Sequence, residues 1–242
     1  MDIISDIIES VGTKDTQVKE IYTFAIYSIV VSRMCGAASV PREGHLLNHT
    51  VQDAGSLLEK STLELAEYIK SDRLLEASVG LAALNSLIEV DEKHCKSINA
   101  LEIILEKGKN RNIGIIGHFP FVNQLKDKAR NLWVFEKFPE EGDLPEEQIP
   151  EILPQCDVIA ITGVTLINHT LDEILKVCPE DSFIMLMGPS VPMSPVLFDY
   201  RIDVAAGIKI VNKAEVIRHL SQGSNLRRIP GVKQLILCKE EL

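Results

Sequence analysis

Short apolar runs alternate with amphipathic stretches through the second half of the chain. Residues 111–116, 132–135, 157–161, 182–187, 203–208 and 232–238 have strand length and little internal polarity, as strands buried on both faces do. Between them the spacing predicts helices over residues 121–130, 171–177 and 213–220. Strands separated by helices predict a parallel sheet covered on both faces. The first half has another rhythm. Residues 2–11 read as an amphipathic helix, 18–32 as two antiparallel strands and 34–40 as a third. Helical periodicity then occupies 56–69, 74–88 and 97–106. Strands followed by helices predict an α+β unit. The boundary falls near Gly108, giving an α+β domain over 1–108 and an α/β domain over 109–242. Residues 139–150, acidic and proline-containing, read as a surface loop with a helical turn.

Composition narrows the setting. The 242 residues are 45% hydrophobic and 25% charged, enough for a real core. The balance of 25 basic to 35 acidic residues, a formal charge of −10, excludes a basic nucleic-acid surface. Arg227-Arg228 reads as a solvated turn. No apolar run reaches the roughly 20 residues of a membrane span. The first ten residues carry acids where an export signal carries bases. Five cysteines are scattered singly, as reduced thiols of a cytoplasmic protein are. Nothing in the sequence sets the subunit number, and a homo-oligomer stays open.

Candidate chemistry concentrates in the loops that leave the strands, where parallel α/β sheets bind ligands. The run ending in Thr162-Gly163 passes Thr165, Asn168 and His169, and enters a helix at Thr170-Leu171-Asp172-Glu173. The last four read as a capping box. Hydroxyls and an amide beside a helix N-terminus suit a small polar or anionic ligand. The turn Gly117-His118-Phe119-Pro120 follows the first of these strands, but its glycines do not make the dinucleotide fingerprint. Glu136 follows Gly114 by 22 residues, close to the spacing of a ribose-binding acid. Gly188-Pro189-Ser190 opens a stiff loop with three prolines in eight residues, a pocket wall with Ser190 as its contact. His118 and His169 have the chemistry of acid–base groups or metal ligands. His45 and His49 are four apart in a segment of doubtful helicity, and no metal-site pattern occurs. In the first half Asn85 is the one amide on a helix of small residues from Gly80 onward.

These motifs together resemble the putative heavy-metal chelation family of uncharacterised bacterial and archaeal proteins. The resemblance rests on Ile161-Thr162-Gly163-x-Thr165-Leu166-Ile167-Asn168-x-Thr170-Leu171, Gly188-Pro189-Ser190-x-Pro192, and Leu197-Phe198-Asp199 ending in Ala206-Gly207. Gly117-x-Phe119-Pro120 and Gly142-Asp143-Leu144-Pro145 fit as well. It implies a Rossmann-like C-terminal domain joined to a small domain like the N-terminal part of enolase, with a pocket where they meet. It also implies condensation or hydrolysis of a pterin-, flavin- or siderophore-like molecule linked to metal handling. One position departs: Arg201 stands where glycine is expected, and either strains a turn or projects a charge toward the pocket.

Three functions follow as expectations. In an enzyme, His118 and Glu136 move protons. Asn85, Gly117, Phe119, Pro120, Thr162, Gly163, Thr165, Asn168, Gly188, Pro189 and Ser190 hold the ligand. In a binding protein, the same residues hold a chelated metal that brings its own ligands. In a transferase, S-adenosylmethionine or NAD would occupy the loops, against the incomplete glycine pattern.

Overall fold

The computed structural model describes residues 2–41, 50–96 and 98–241. Its larger sheet has eight strands. In chain order they are β4 (Cys95–Lys96), β5 (Asn112–Ile116), β6 (Asn131–Glu136), β7 (Leu144–Pro145), β8 (Val158–Thr162), β9 (Phe183–Met187), β10 (Val204–Ile210) and β11 (Val232–Cys238). Their spatial order is β4-β11-β10-β9-β8-β5-β6-β7. All pairs from β10 to β7 are parallel, while β11 lies antiparallel to β10 and β4 antiparallel to β11. The chain winds outward in both directions from the β5–β8 pair, which is therefore the topological switch point.

The strands form because their apolar runs satisfy two cores at once. Ile113, Ile115, Val158, Ala160 and Met185 pack on one face with Leu101 and Ile104 of α4 (Ala100–Lys107). Ile159, Ile161, Ile184 and Leu186 pack on the other with Leu171 and Ile174 of α6 (Leu171–Val177). That second core continues without a break into Ile3 and Ile7 of α1 (Ile3–Val11) and Leu81 and Leu84 of α3 (Leu74–Leu87).

The N-terminal residues build an antiparallel sheet of β1 (Glu20–Thr23), β2 (Tyr27–Val31) and β3 (Cys35–Ser39). It is backed by α3, against which α2 (Thr62–Ala66) packs. Small residues set the spacing. A Cβ on Gly36 would lie 2.1 Å from the Ala82 carbonyl, and one on Gly80 2.0 Å from the Ile69 nitrogen. Among the described residues, no helix is long and apolar enough to cross a membrane.

Two local expectations are corrected and two are refined. Residues 121–130 form a 3-10 turn (Val122–Gln124) and successive tight turns, not a helix. Only Val122 and Leu125 of this stretch are fully buried, too narrow an apolar stripe to hold an α-helix. The helix expected over 56–69 is interrupted at Ser61, which caps α2: its Oγ accepts from the Glu64 N–H while the Glu64 carboxylate accepts from the Ser61 N–H. The loop over 139–150 does hold a helical turn (Glu146–Gln148), and it also contains the edge strand β7 and leads into α5 (Ile149–Ile152). Arg201 does take the left-handed conformation glycine would, with φ 63°, but sends no charge to the strand ends. Its guanidinium donates to the carbonyls of Cys178 and Pro179, before β9 begins, and these contacts offset a conformational cost of about 1 kcal/mol.

Candidate functional site

The loops leaving β5, β6, β8 and β9 at their carboxyl ends enclose a cavity of about 720 Å³. The N-terminal unit supplies Tyr27, Ser39, Pro41 and Leu74 to its wall, and the turn before β11 supplies Asn225 and Arg227. His118, Glu136, Gly117, Phe119, Pro120, Thr162, Thr165, Asn168, Gly188 and Pro189, all expected from the sequence, line it.

The turn after β5 is built for a tight strand exit. Gly117 has φ 95°, and a Cβ there would meet Thr162 Cβ at 2.9 Å. The His118 N–H donates to Glu136 Oε1 at 2.8 Å, and the Lys137 N–H donates to Oε2 at 3.0 Å. Both Glu136 oxygens are thus engaged in shaping the rim. The His118 ring, 38% exposed, places Nδ1 3.0 Å from Oδ2 of Asp143. That carboxylate is 4% exposed and also accepts from the Glu140 N–H at 3.2 Å. A fixed acid against one ring nitrogen sets the imidazole's orientation and leaves Nε2 for proton transfer.

The loop after β8 is arranged differently from the sequence expectation. Gly163–Leu166 is a 3-10 turn, and Thr170 enters α6 in a helical conformation with no side-chain cap, so the capping box is absent. The Thr170 N–H donates to Thr165 O at 3.0 Å, and the Asn168 N–H to Val164 O at 3.1 Å. Donors expected to face a ligand are consumed inside the loop. Thr165 Oγ1 donates to Thr162 O at 2.7 Å. The Asn168 amide faces acceptors, so its nitrogen donates to Thr170 Oγ1 at 2.8 Å and Thr165 O at 3.1 Å. His169, at φ 58°, pairs through Nε2 with Ile69 O at 2.7 Å and ties α6 to the N-terminal unit.

Three expected ligand contacts stand behind the wall. Ser190 is 1% exposed and its Oγ accepts from the Ser39 N–H. Asn85 donates to Ala37 O at 2.9 Å and toward Ser190 O at 3.4 Å, while its buried Oδ1 has no partner. A Cβ on Gly163 would meet Val191 Cγ2 at 2.9 Å, so this glycine lets the β8 and β9 loops touch. Ser190 and Asn85 join the two units beneath the cavity. Tyr27 and Asn225 carried no signal in the sequence, Asp143 was visible only as part of the Gly142-Asp143-Leu144-Pro145 motif with no role attached, and Arg227 read as a solvated turn. The fold brings all four to the cavity from separate segments. His45 and His49 lie outside the described residues. Among the described residues, no group of three or more His, Cys, Asp or Glu could hold a metal ion.

Comparison with known proteins agrees with this architecture. Two family models, each described as putative heavy-metal chelation, match residues 4–88 and 99–237. An uncharacterised protein of Methanocaldococcus jannaschii is 27% identical over 184 residues, covering 73% of this chain and 71% of its own. A crystal structure of a protein with unknown function from the DUF364 family of Desulfitobacterium hafniense superposes with a TM-score of 0.86 at 24% identity, over 98% of both chains. A second, from Pyrococcus horikoshii, gives 0.82 at 24% identity over the same share. At that identity the likeness establishes the fold.

Proposed function

The chain belongs to the putative heavy-metal chelation family, and from that premise we propose that the cavity receives a small molecule on which His118 acts as acid–base group. The observation that carries this reading is the His118 Nδ1–Asp143 contact at 3.0 Å on the wall of a 720 Å³ cavity. Hydrolysis fits better than a covalent route. Thr165 Oγ1 donates to Thr162 O, and Ser190, 1% exposed, lies behind the cavity wall, so neither is poised as a nucleophile. His118 would draw a proton from water, Asp143 would hold the ring, and Glu136 would keep the turn in place. Pterin-, flavin- and siderophore-like compounds suit the volume. A cytoplasmic setting fits Cys35, Cys95, Cys156 and Cys178 as free thiols.

The test is incubation of purified protein and the His118→Asn variant with pterins, flavins and siderophore chelates, followed by mass spectrometry. Turnover by the wild type that the variant loses supports the enzyme. Binding without turnover supports the second reading, a carrier of a metal chelate. That reading draws on the lack of a metal-holding cluster among the described residues, because such a metal would arrive with its own ligands. Neither binding nor turnover would remove both.

A further inference from the structure

Arg227 lies on the cavity wall in the 3-10 turn Leu226–Arg228, ahead of β11. Arg33, Arg73 and Arg218 each meet a carboxylate within the chain. Arg227 meets an aromatic face instead, its guanidinium 5.6 Å from the centroid of Phe119. Phe119 is itself stacked on Phe121 with centroids 5.4 Å apart and rings 12° from parallel. Among the described residues no carboxylate pairs with this guanidinium. In a chain with ten more acids than bases, a cation kept on a cavity wall without an acid invites an anion.

A second observation comes from Tyr27, which is 6% exposed and lines the same cavity. Burial raises the pKa of its hydroxyl, while Arg227, the Leu226 backbone and the Asn225 side chain pull it down. Those three groups present positive charge or donors around the phenol oxygen. Asn225 is fixed by accepting from the Arg227 N–H at 3.1 Å. Arg227, Asn225 and Tyr27 thus gather at one part of the cavity wall.

We propose that Arg227 and Tyr27 form a subsite for an anionic group, a carboxylate or phosphate, carried by the molecule that enters the cavity. This rests on reading the cavity as a small-molecule site. The guanidinium fork matches two oxygens of such a group, and the phenol O–H supplies a third donor. The rest of the wall carries Glu136, Glu140, Asp143, Glu146 and Glu173 against one further cation, Lys137, so acids prevail there and disfavour an anion away from Arg227. Phe119 directly follows His118, so an anion held at Arg227 sets the remainder of the ligand beside the imidazole.

Titration calorimetry with inorganic phosphate and with citrate tests the assignment at low ionic strength. At least one of the two binds the wild-type protein, and whichever binds more tightly assigns the group. Arg227→Gln weakens that binding at least about tenfold, and Tyr27→Phe about fivefold. Arg228→Gln, one residue further and off the cavity wall, leaves it unchanged, and thermal melts check that each variant is folded. Absence of binding by the wild type, wild-type affinity in Arg227→Gln, or an equal loss in Arg228→Gln overturns the subsite. Anion binding that depends on Arg227 in a protein that turns nothing over would keep the subsite and remove the catalytic role of His118. Turnover that ignores Arg227 would do the reverse.

Discussion

The hydroxyl of Ser190 accepts a 2.8 Å hydrogen bond from the backbone N–H of Ser39, joining the end of β3 to the loop after β9. Asn85 reaches the same place from α3, donating to Ala37 O at 2.9 Å. Ser39 and Pro189 both line the cavity, so the bond beneath them sets the spacing of two of its walls.

Ser190→Ala is expected to leave the Ser39 N–H without a partner and to lower stability by about 1–3 kcal/mol. Urea unfolding of the two proteins measures it. A variant as stable as the wild type would mean that the contact carries no net free energy.

Asp143→Asn keeps the size of the side chain but removes the charge that holds the His118 ring. On a compound that the protein converts, kcat should fall about a hundredfold while KM changes little. A rise in KM with unchanged kcat would assign Asp143 to binding instead.

Gly80→Ala pushes a Cβ to within 2.0 Å of the Ile69 nitrogen, and backbone cannot yield as a side-chain tip can. The expected cost is about 3 kcal/mol, read as a lower unfolding midpoint. Full stability in this variant would show that α3 can slide away from the segment after α2.

The Tyr200 hydroxyl is raised from 10.0 to about 12, first by burial and then by donating to Asp6. A raised acid favours its neutral form in the fold, so this contribution is whole below pH 10 and is lost between pH 10 and about 12. The wild-type unfolding midpoint should drop more steeply over that window than that of Tyr200→Phe. Parallel curves would deny Tyr200 a part in alkaline stability.

Residues whose environment is uniform along a segment were legible in the sequence. The runs that became β5, β8 and β9 are buried on both faces, so each reads as unbroken apolar sequence. The capping boxes show where such reading fails. Ser61-x-x-Glu64 and Thr170-x-x-Glu173 carry the same signature, yet only the first caps a helix. Ser61 is extended, with φ −70° and ψ 161°, whereas Thr170 follows His169 at φ 58° and already donates its N–H to Thr165. The difference lies in the preceding backbone, which a four-residue pattern does not record. Glycine and proline turns after the strands pointed to the loops of the cavity, because strand ends place loops there regardless of their side chains. Arg227 and Tyr27 lie at opposite ends of the chain and come to one cavity wall only through the fold. In sequence each looks like ordinary surface or core.

The eight-stranded sheet ends on one side in β4, paired through Cys95 and Lys96, and on the other in β7, paired through Leu144 and Pro145. Each outermost strand presents a row of main-chain groups only two residues long, and Pro145 has no N–H to offer. The outermost strands themselves thus offer little template, while residues 232–235 of β11 and 131–134 of β6 run on beside them with no partner strand on that side among the described residues. Any added strand in a mostly parallel sheet rich in apolar runs would have to pair along those segments rather than along β4 or β7.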